Sequence, residues 1–367
     1  MAPPAMTPKE RWLAAYQMQP VDRLPFWPKL DAAYPRAQRQ PFSGMSLDAI
    51  HDWIGSDKHI WSPTCAREGH ATCAREASND GRTRRALYRT PYGEMESIDR
   101  FDVPSQAWHP VKFPVESLDH VHWMTAWYED VRVELDPEAL QRVRAQVARY
   151  GQDAVICTSV GESPLMHWVE WTAGIERAHY LLMDHKAEVE ALFTAMHRVL
   201  LDKARLIAEH SPVDVLYMTE NTSTTLISPQ QYRRYCYGHI TEYGQIARRH
   251  GRLMALHMCG HLKLLLPDLA QLPVDAFEAF TAPTLGNTTL LDGRVSCPDK
   301  CLIGGTNAML WTRSAPEIVG QIEHDLGELP HHRGVVVTSA GVMPPLCRPE
   351  TIKSVCEWVK AYPARTW

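Results

Sequence analysis

Eight short apolar runs, separated for the most part by helical patterns, are the feature of this sequence that most constrains its fold. Runs of this kind are typical of strands that are buried on both faces of a parallel sheet. Their alternation with helices predicts βαβ units, and eight such units predict a closed (β/α)8 barrel, an α/β fold. In chain order the predicted strands are RLPFWPKL (23–30), KHIWSPT (58–64), AVICTSVG (154–161), VDVLYMTE (213–220), RLMALHMC (252–259), VDAFEAFT (274–281), CLIGGTNA (301–308) and GVVVTSAG (334–341).

The region from residue 65 to residue 150 departs from this alternation. The stretch RRALYRTPYGEMESIDRF has the pattern of an antiparallel hairpin with its turn near Pro91-Tyr92-Gly93. We therefore expect one barrel domain over residues 1–367, with residues 65–150 as an insertion that packs on the barrel.

The segment TCAREGHATCARE (64–76) brings Cys65, His70 and Cys73 close together in the sequence. Zinc ligands occur at such separations, but no second pair follows at the spacing of a zinc finger. We interpret the segment as a solvated loop or helix of the insertion.

Helix starts are clearly marked. Capping boxes with proline in the first turn occur at Thr7-Pro8-Lys9-Glu10, at Ser228-Pro229-Gln230-Gln231 and at Ser314-Ala315-Pro316-Glu317. Each box precedes an amphipathic segment, so the helices between the strands begin where the barrel requires them.

Composition excludes several classes of function. The net charge is −5 with acidic and basic residues interleaved, which disfavours a nucleic-acid partner. No apolar run approaches the roughly 20 residues of a membrane span, and the N-terminus lacks the pattern of a secretory signal. Nine cysteines scattered over a long chain favour free thiols and a reducing cytoplasm over a disulfide framework.

In a (β/α)8 barrel the functional residues lie at the carboxyl ends of the strands. We therefore treat the polar and aromatic side chains at these ends as candidates for the site. They are Trp27, Lys29 and Asp31 after the first strand, Glu162 after the third, Tyr217, Glu220 and Asn221 at the fourth, His257 and Cys259 at the fifth, Thr281, Thr306 and Asn307 at the next two, and Ser339 at the last.

The stretch RLMALHMCGHL contains the most specific pair among them. His257 and Cys259 are two residues apart on a predicted strand, so their side chains project from the same face. An imidazole and a thiol in this arrangement are either two ligands of a zinc site or two residues packed in the interior.

Four stretches in the right order resemble the uroporphyrinogen decarboxylase superfamily. They are MTPKERWLAAYQMQPVDRLPFWPKL, LISPQQYRRYCYGHITEYGQIARRHGRLMALHMCG, CLIGGTNAMLWTRSAPEIVGQI and SAGVMPPLCRPETIKSV. The resemblance implies a (β/α)8 barrel, in agreement with the eight apolar runs. It also implies one of two chemistries: decarboxylation of tetrapyrrole side chains, or zinc-dependent methyl transfer between a corrinoid and a thiol.

The decarboxylases of this superfamily bind the acids of their substrate with arginines just after the first strand. Here Leu30 and Tyr34 stand where those arginines are expected, and Lys29 is the nearest cation. Because leucine and tyrosine cannot present the planar fork of a guanidinium to a carboxylate, tetrapyrrole decarboxylation is disfavoured.

The resemblance to the corrinoid:thiol methyltransferases implies zinc ligands at His257 and Cys259. Glu220 stands where that family commonly has an acidic residue facing the same cavity. The family's last ligand, a cysteine in the final loop, corresponds to Val342, and Cys347 lies five residues further along the same loop. Glu220 and Cys347 are therefore the alternatives for completing the ligand set. The methyl group would pass between methylcobalamin, free or carried by a separate corrinoid protein, and a small thiol or other small acceptor.

Other readings stay open at this point. We expect four residues to contact substrate: Lys29, Trp27, Asn307 and Tyr217. Structural roles are the alternatives for three of them: an ion pair with Asp31 for Lys29, a cap of its own loop for Asn307, and packing in the core for Trp27. A metal-free lyase would use Asp31, Glu162 or Glu220 to carry a proton. A non-catalytic barrel that carries a corrinoid or tetrapyrrole is the third hypothesis. Barrels of this superfamily often form dimers, so a homodimer is also expected.

Overall fold

The computed structural model describes residues 5–103 and 105–366. Its centre is a sheet of eight parallel strands in the order β1, β14, β13, β12, β11, β10, β9, β2. These strands are β1 (Phe26–Trp27), β2 (Lys58–Ser62), β9 (Ala154–Gly161), β10 (Val215–Thr219), β11 (Leu253–His257), β12 (Ala276–Phe280), β13 (Cys301–Gly304) and β14 (Val335–Thr338). Each of the eight predicted runs contains one of them, so the predicted (β/α)8 barrel is confirmed.

The sheet is nearly closed. The two strands at the ends of the order, β1 and β2, approach each other where the Asp57 N–H donates to the Phe26 carbonyl at 2.8 Å. The side chain of Asp57, at the amino end of β2, binds Arg11 at 2.6 Å and Arg23 at 2.8 Å. This ion cluster closes the end of the barrel opposite the strand ends that carry the candidate site.

Helices surround the barrel. They are α1 (Pro8–Tyr16), α2 (Ala33–Ala37), α3 (Leu47–Ile54), α4 (Leu118–Glu129), α5 (Pro137–Tyr150), α6 (Pro164–His167), α7 (Ile175–Asp184), α8 (Lys186–His210), α9 (Pro229–Tyr232), α10 (Gly238–Arg249), α11 (Leu266–Leu269), α12 (Leu290–Ser296), α13 (Ala315–Gly327) and α14 (Pro349–Ala361). Single π-helical turns follow α6 at Trp168–Thr172 and α9 at Arg233–Tyr237. The predicted capping boxes at Thr7, Ser228 and Ser314 are all present.

Two apolar cores hold these layers together. The larger one lies between the helices and the outer face of the barrel. The smaller one fills the barrel itself and includes Trp12 of α1. The Trp12 Nε1–H donates to the Asp57 carbonyl at 3.1 Å, at the amino end of β2. The interior is therefore packed, and a ligand would meet the barrel's side chains at the strand ends.

The region between β2 and β9 forms two antiparallel sheets. One pairs β3 (Ala66–His70) with β8 (Val131–Leu135), and the other joins β4 (Ala74–Asn79), β5 (Thr83–Thr90), β6 (Gly93–Asp102) and β7 (Ala107–Lys112). The β5–β6 hairpin turns between Thr90 and Gly93, at the predicted place. A Cβ at Gly93 would stand 2.5 Å from the Trp123 ring, so glycine lets α4 pack closely against this turn.

The interpretation of residues 64–76 as a solvated loop or helix is wrong. These residues contain β3 and the start of β4, and Cys65 and Cys73 are both buried. The reason is long-range pairing, because the partner of β3 is β8, which lies about 60 residues further along the chain.

All nine cysteines are free thiols. Within residues 5–103 and 105–366, no helix combines the length and the hydrophobicity that a membrane crossing requires.

Candidate active site at the carboxyl ends of the barrel strands

Four side chains meet at the mouth of the barrel and are called the strand-end cluster: Lys29, Tyr217, His257 and Glu278. Glu278 lies at the centre. It accepts hydrogen bonds from the Tyr217 hydroxyl and from His257 Nδ1, and its two oxygens lie 3.0 and 3.1 Å from Lys29 Nζ. Lys29 Nζ is also 3.2 Å from His257 Nδ1.

Strand register produces this arrangement. His257 is the last residue of β11, and it stands directly beside Glu278 of β12 in the parallel pairing. Tyr217 lies on β10, on the other side of β11, while Lys29 follows β1 across the barrel. The barrel thus brings together residues that are separated by up to 249 positions in the chain.

The electrostatics of the cluster follow from its burial. Burial alone would raise the pKa of Glu278, but Lys29 and His257 outweigh it and hold that pKa well below its usual range. Burial likewise opposes protonation of His257, and the negative charge of Glu278 overcomes it and raises the pKa of the imidazole to about 9. The carboxylate is therefore ionised and fixes Nδ1–H of His257 as the donor.

Cys259 lies just beyond the end of β11, next to His257. Its thiol is 3.6 Å from Oδ1 of Asn221, whose Nδ2 donates to Oε2 of Glu170 at 2.8 Å. The other oxygen of Glu170 is buried and has no hydrogen-bond partner among the described residues. Burial, followed by the nearby charge of Glu162, raises the pKa of Glu170 to about 8.

The side chain of Glu220 is committed elsewhere. It is fully buried and accepts from the N–H and the hydroxyl of Ser163, both at 2.6 Å. Burial raises the pKa of Glu220 to about 7, although both contacts with Ser163 oppose this. Glu162 contacts His167 at 3.3 Å and the Trp171 indole at 3.0 Å.

Cys347 is buried in the final loop. Its carbonyl accepts from the Tyr34 hydroxyl at 2.6 Å, and its sulfur is 4.0 Å from the Arg348 carbonyl. Burial raises the pKa of this thiol to about 12. Val342 has 46% of its surface exposed, and the N–H of its neighbour Met343 donates to the Lys29 carbonyl at 2.8 Å.

The remaining predicted residues have structural contacts. Asp31 accepts from the N–H groups of Ala33 and Tyr34 at 3.0 Å and so caps α2. Trp27 packs inside the barrel against Trp12, with ring centroids 5.9 Å apart. The Asn307 amide joins two loops: its Oδ1 accepts from the Leu310 N–H of its own loop at 3.0 Å, and its Nδ2 donates to the Pro283 carbonyl in the loop after β12 at 2.6 Å.

The structure thus brings Lys29, Tyr217, His257 and Cys259 together at the mouth and holds the side chains of Glu220 and Cys347 in other contacts. Among the described residues, three ligand-type atoms lie within 4.8 Å of one another only at His70, Cys73 and Asp130, in the insertion. No such triplet surrounds His257 in the part of the chain that the structure describes.

Two site residues were missed from the sequence. Glu278 had a signal, because it is the only acidic residue inside the apolar strand β12, at the centre of its five residues. Glu170 had no such signal in the sequence, since it lies in the π-helical turn at Trp168–Thr172 and not at the end of a strand. Such turns are frequent at functional sites, but they are visible only in the folded chain.

Comparisons with known proteins agree with the fold. The sequence model of uroporphyrinogen decarboxylase (URO-D) matches residues 114–362, which is more than half of the chain. No curated protein sequence matches. Among solved structures, a methyltransferase from Methanosarcina mazei is similar, with 14% identity, a TM-score of 0.62 and coverage of 97% of this chain and 99% of that one. A putative vitamin-B12 independent methionine synthase from Listeria monocytogenes has 13% identity, a TM-score of 0.39 and coverage of 60% of this chain and 68% of that one.

Proposed function

We propose, from the fact that the chain belongs to the uroporphyrinogen decarboxylase family and from the geometry of the strand-end cluster, that it is a methyltransferase. It moves a methyl group between a corrinoid and a small thiol or other small acceptor, with zinc held by His257 and Cys259. The observation that carries this proposal is the position of His257, which ends β11 beside Cys259 while its Nδ1 is held by Glu278.

The chemistry of the donors fits zinc. Histidines that bind zinc commonly donate their second ring N–H to a carboxylate, which fixes the tautomer and the orientation of the ring. Glu278 supplies that carboxylate to Nδ1, and Nε2 is the nitrogen that a metal would take by displacing its proton. Cys259 offers a thiol beside the ring.

A third protein ligand would complete the set beside His257 and Cys259. Glu220 is bound to Ser163, and Cys347 faces away toward Arg348. Glu170 is the better candidate, because its buried Oε1 has no hydrogen-bond partner among the residues that the structure describes and Asn221 joins it to Cys259. Since the described residues form no ligand triplet within 4.8 Å around His257, a side-chain rotation of Glu170 would have to accompany metal binding.

Bound zinc would lower the pKa of a substrate thiol so that the thiolate forms at neutral pH. The protein's own residues position the reaction. Glu278 holds the His257 ring in place, and Tyr217 and Lys29 hold Glu278 from two other directions. Lys29 also places a cation at the mouth, where it would attract an anionic group of the substrate.

The rim of the mouth supports a corrinoid, free or carried by a protein, as the partner. Seven large apolar side chains are exposed on the loops or strand ends at this side of the barrel: Trp61, Trp171, Leu264, Leu285, Met309, Val342 and Leu346. Exposed apolar residues gathered around one opening are typical of interaction surfaces. A homodimer, which the family resemblance implies, is a further part of the proposal.

Zinc analysis of the purified chain tests the proposal most directly. The double variant His257→Ala/Cys259→Ala should contain one zinc equivalent less than the wild type and should no longer demethylate methylcobalamin in the presence of 2-mercaptoethanol. The matched control, His324→Ala/Cys356→Ala, removes an imidazole and a thiol on α13 and α14. This control should keep both the zinc and the activity. Wild-type zinc content that the double variant retains would contradict the proposal.

A metal-free lyase is the second candidate, and the protonated carboxyl of Glu170 favours it. Decarboxylation breaks a carbon–carbon bond and leaves the electron pair on carbon, which then needs a proton. With a pKa of about 8, Glu170 carries one at neutral pH. A zinc-free protein that releases carbon dioxide from a small acid, and loses this activity in Glu170→Gln, would establish the lyase. A chain that binds methylcobalamin but leaves it methylated would instead indicate a carrier.

A further inference from the structure

A second group of ligand-type side chains lies in the insertion, and we call it the insertion triad: His70, Cys73 and Asp130. His70 ends β3 and Cys73 directly precedes β4. Asp130 lies between α4 and β8, and β8 pairs with β3 so that Val131 stands opposite His70. The triad therefore marks the junction of one helix and three strands, and it shares no residue with the strand-end cluster.

The three ligand atoms already converge. The imidazole nitrogen, the thiol sulfur and a carboxylate oxygen all lie within 4.8 Å of one another. Asp130 Oδ2 is held by the N–H groups of Thr72 at 2.9 Å and Cys73 at 2.8 Å, so backbone hydrogen bonds fix the carboxylate. The His70 ring packs against Trp127, with centroids 3.9 Å apart, so its position is also restrained.

One atom of the triad lacks a partner. His70 Nδ1 is buried and has no hydrogen bond among the described residues, and its distance of 3.6 Å from Asp130 Oδ2 is too long for one. A buried imidazole nitrogen without a partner is costly, and a bound cation is one way in which such an atom is satisfied.

We propose that the insertion triad binds a zinc ion. Thiolate, imidazole and carboxylate together match the donor preferences of zinc and not those of magnesium or calcium. Zinc–ligand distances of about 2.0–2.3 Å place tetrahedral ligand atoms roughly 3.3–3.8 Å apart, so the triad must contract by no more than about 1.5 Å. The fourth position is left for water.

The ion would connect segments that are distant in the sequence. Cys73 and Asp130 are 57 residues apart, and the β4–β7 sheet lies between them in the chain. Zinc would therefore tie the base of this sheet to the β3–β8 pair and to the end of α4. Its role is structural, because the site stabilises the insertion and its ligands take no part in the strand-end cluster.

The experiment uses the full chain with His257→Ala/Cys259→Ala as background, so that zinc at the barrel mouth does not contribute. After chelator treatment, zinc is titrated in competition with a chromogenic chelator, and cobalt(II) is added to a second sample. We expect one equivalent of zinc to bind and cobalt to give a thiolate charge-transfer band in the near ultraviolet. Zinc should also raise the melting temperature of the background variant.

Adding His70→Gln or Cys73→Ser should weaken zinc binding by at least about a hundredfold, because losses of groups outside the ligand shell already cost 10–100-fold. Cys73→Ser should abolish the cobalt charge-transfer band. The controls are Cys65→Ala, a buried thiol beside β3, and His122→Gln, an exposed imidazole on α4, and both should keep the zinc equivalent.

Circular dichroism of the metal-free variants verifies folding, and His70→Gln, the more conservative change, is decisive if Cys73→Ser unfolds. Absence of stoichiometric binding in the background variant would overturn the proposal. Full zinc affinity after His70→Gln would overturn it as well. Because the variants of the two sites are separate, failure here leaves the methyltransferase proposal untouched, and the reverse also holds.

Discussion

The strand-end cluster and the insertion triad both place a histidine near a carboxylate and a cysteine, but the two carboxylates have different partners. Glu278 receives side-chain donors only, from Lys29, His257 and Tyr217, and it is fully buried. Asp130 receives backbone N–H groups, and its side chain keeps 14% of its surface exposed. His257 Nδ1 therefore has a hydrogen-bond partner, whereas His70 Nδ1 has none within residues 5–103 and 105–366.

The difference shows how each histidine relates to a metal. At the mouth, Glu278 accepts a hydrogen bond from Nδ1 of His257 and so orients Nε2 of the same ring. A carboxylate in this position supports a metal ligand without binding the metal itself. In the insertion, the carboxylate is fixed by the backbone and faces the same space as the imidazole, which is the arrangement of two ligands. The two regions thus use a carboxylate beside a histidine for opposite purposes, as an orienting group and as a ligand.

Glu278→Gln gives the largest expected loss of folding stability. The variant leaves Lys29 without its counter-ion in a buried site, and removal of one partner from a buried ion pair costs about 3–5 kcal/mol. The free energy of unfolding in urea at pH 7 measures this loss. The control is Glu134→Gln, which breaks an ion pair with Arg67 in which both side chains are more than 60% exposed and should cost only about 0–1 kcal/mol. If the two variants unfold at the same urea concentration, Glu278 and Lys29 do not form a buried ion pair that stabilises the fold.

The contrast between the two regions also explains what the sequence could predict. The eight barrel strands are continuous apolar runs, and the polar residues that end them are visible at once, so the fold and the positions of Lys29 and His257 follow from local pattern. Glu278 becomes a partner of His257 only through the register of β11 with β12. Cys347 packs into the larger apolar core because of the path of its loop, which no residue spacing encodes. The insertion triad depends on the pairing of β3 with β8, which are about 60 residues apart in the chain, and local pattern does not predict such a pairing.

Glu170→Gln gives an intermediate effect on folding stability and tests a carboxyl group whose pKa is raised by burial. The pKa of Glu170 is raised to about 8 by burial and by Glu162, so the folded state holds a proton that the unfolded state releases near pH 4.5. Folding stability therefore falls as the pH rises from about 4.5 to 8. Gln cannot ionise, so the variant should match the wild type near pH 5 and exceed its stability by about 2–3 kcal/mol near pH 9, below the full linkage value because the carboxyl is partly exposed.

Thermal or urea unfolding at a series of pH values provides the measurement. Glu323→Gln on α13 is the control, since its exposed side chain is solvated in both states. A difference between Glu170→Gln and wild type that stays constant with pH would mean that Glu170 ionises in the folded protein as it does in the unfolded chain. In that case the proton donor of the lyase candidate is lost as well.

Asp130→Asn gives the smallest expected loss of folding stability when no metal is bound. Burial would raise the pKa of Asp130, but the N–H groups of Cys73 and Thr72 outweigh it and lower the pKa to about 2. This lowered pKa stabilises the fold above pH 4, and the contribution is lost as the pH falls toward 2. The carboxyl is close to solvent, so the loss in the variant should be only about 0.5–1 kcal/mol at pH 7 and should shrink below pH 4.

Zinc should change the free energy of unfolding that Asp130→Asn costs, and this change tests the difference between Asp130 and Glu278. In the presence of zinc the cost of Asp130→Asn should grow, because the variant then lacks a ligand as well as a hydrogen-bond acceptor. The cost of Glu278→Gln is already large without metal, since it comes from an unpaired buried cation. Urea unfolding of both variants with excess chelator and with excess zinc therefore separates a carboxylate that binds metal from one that orients a ligand. An equal zinc dependence of the two variants would remove the distinction between the regions.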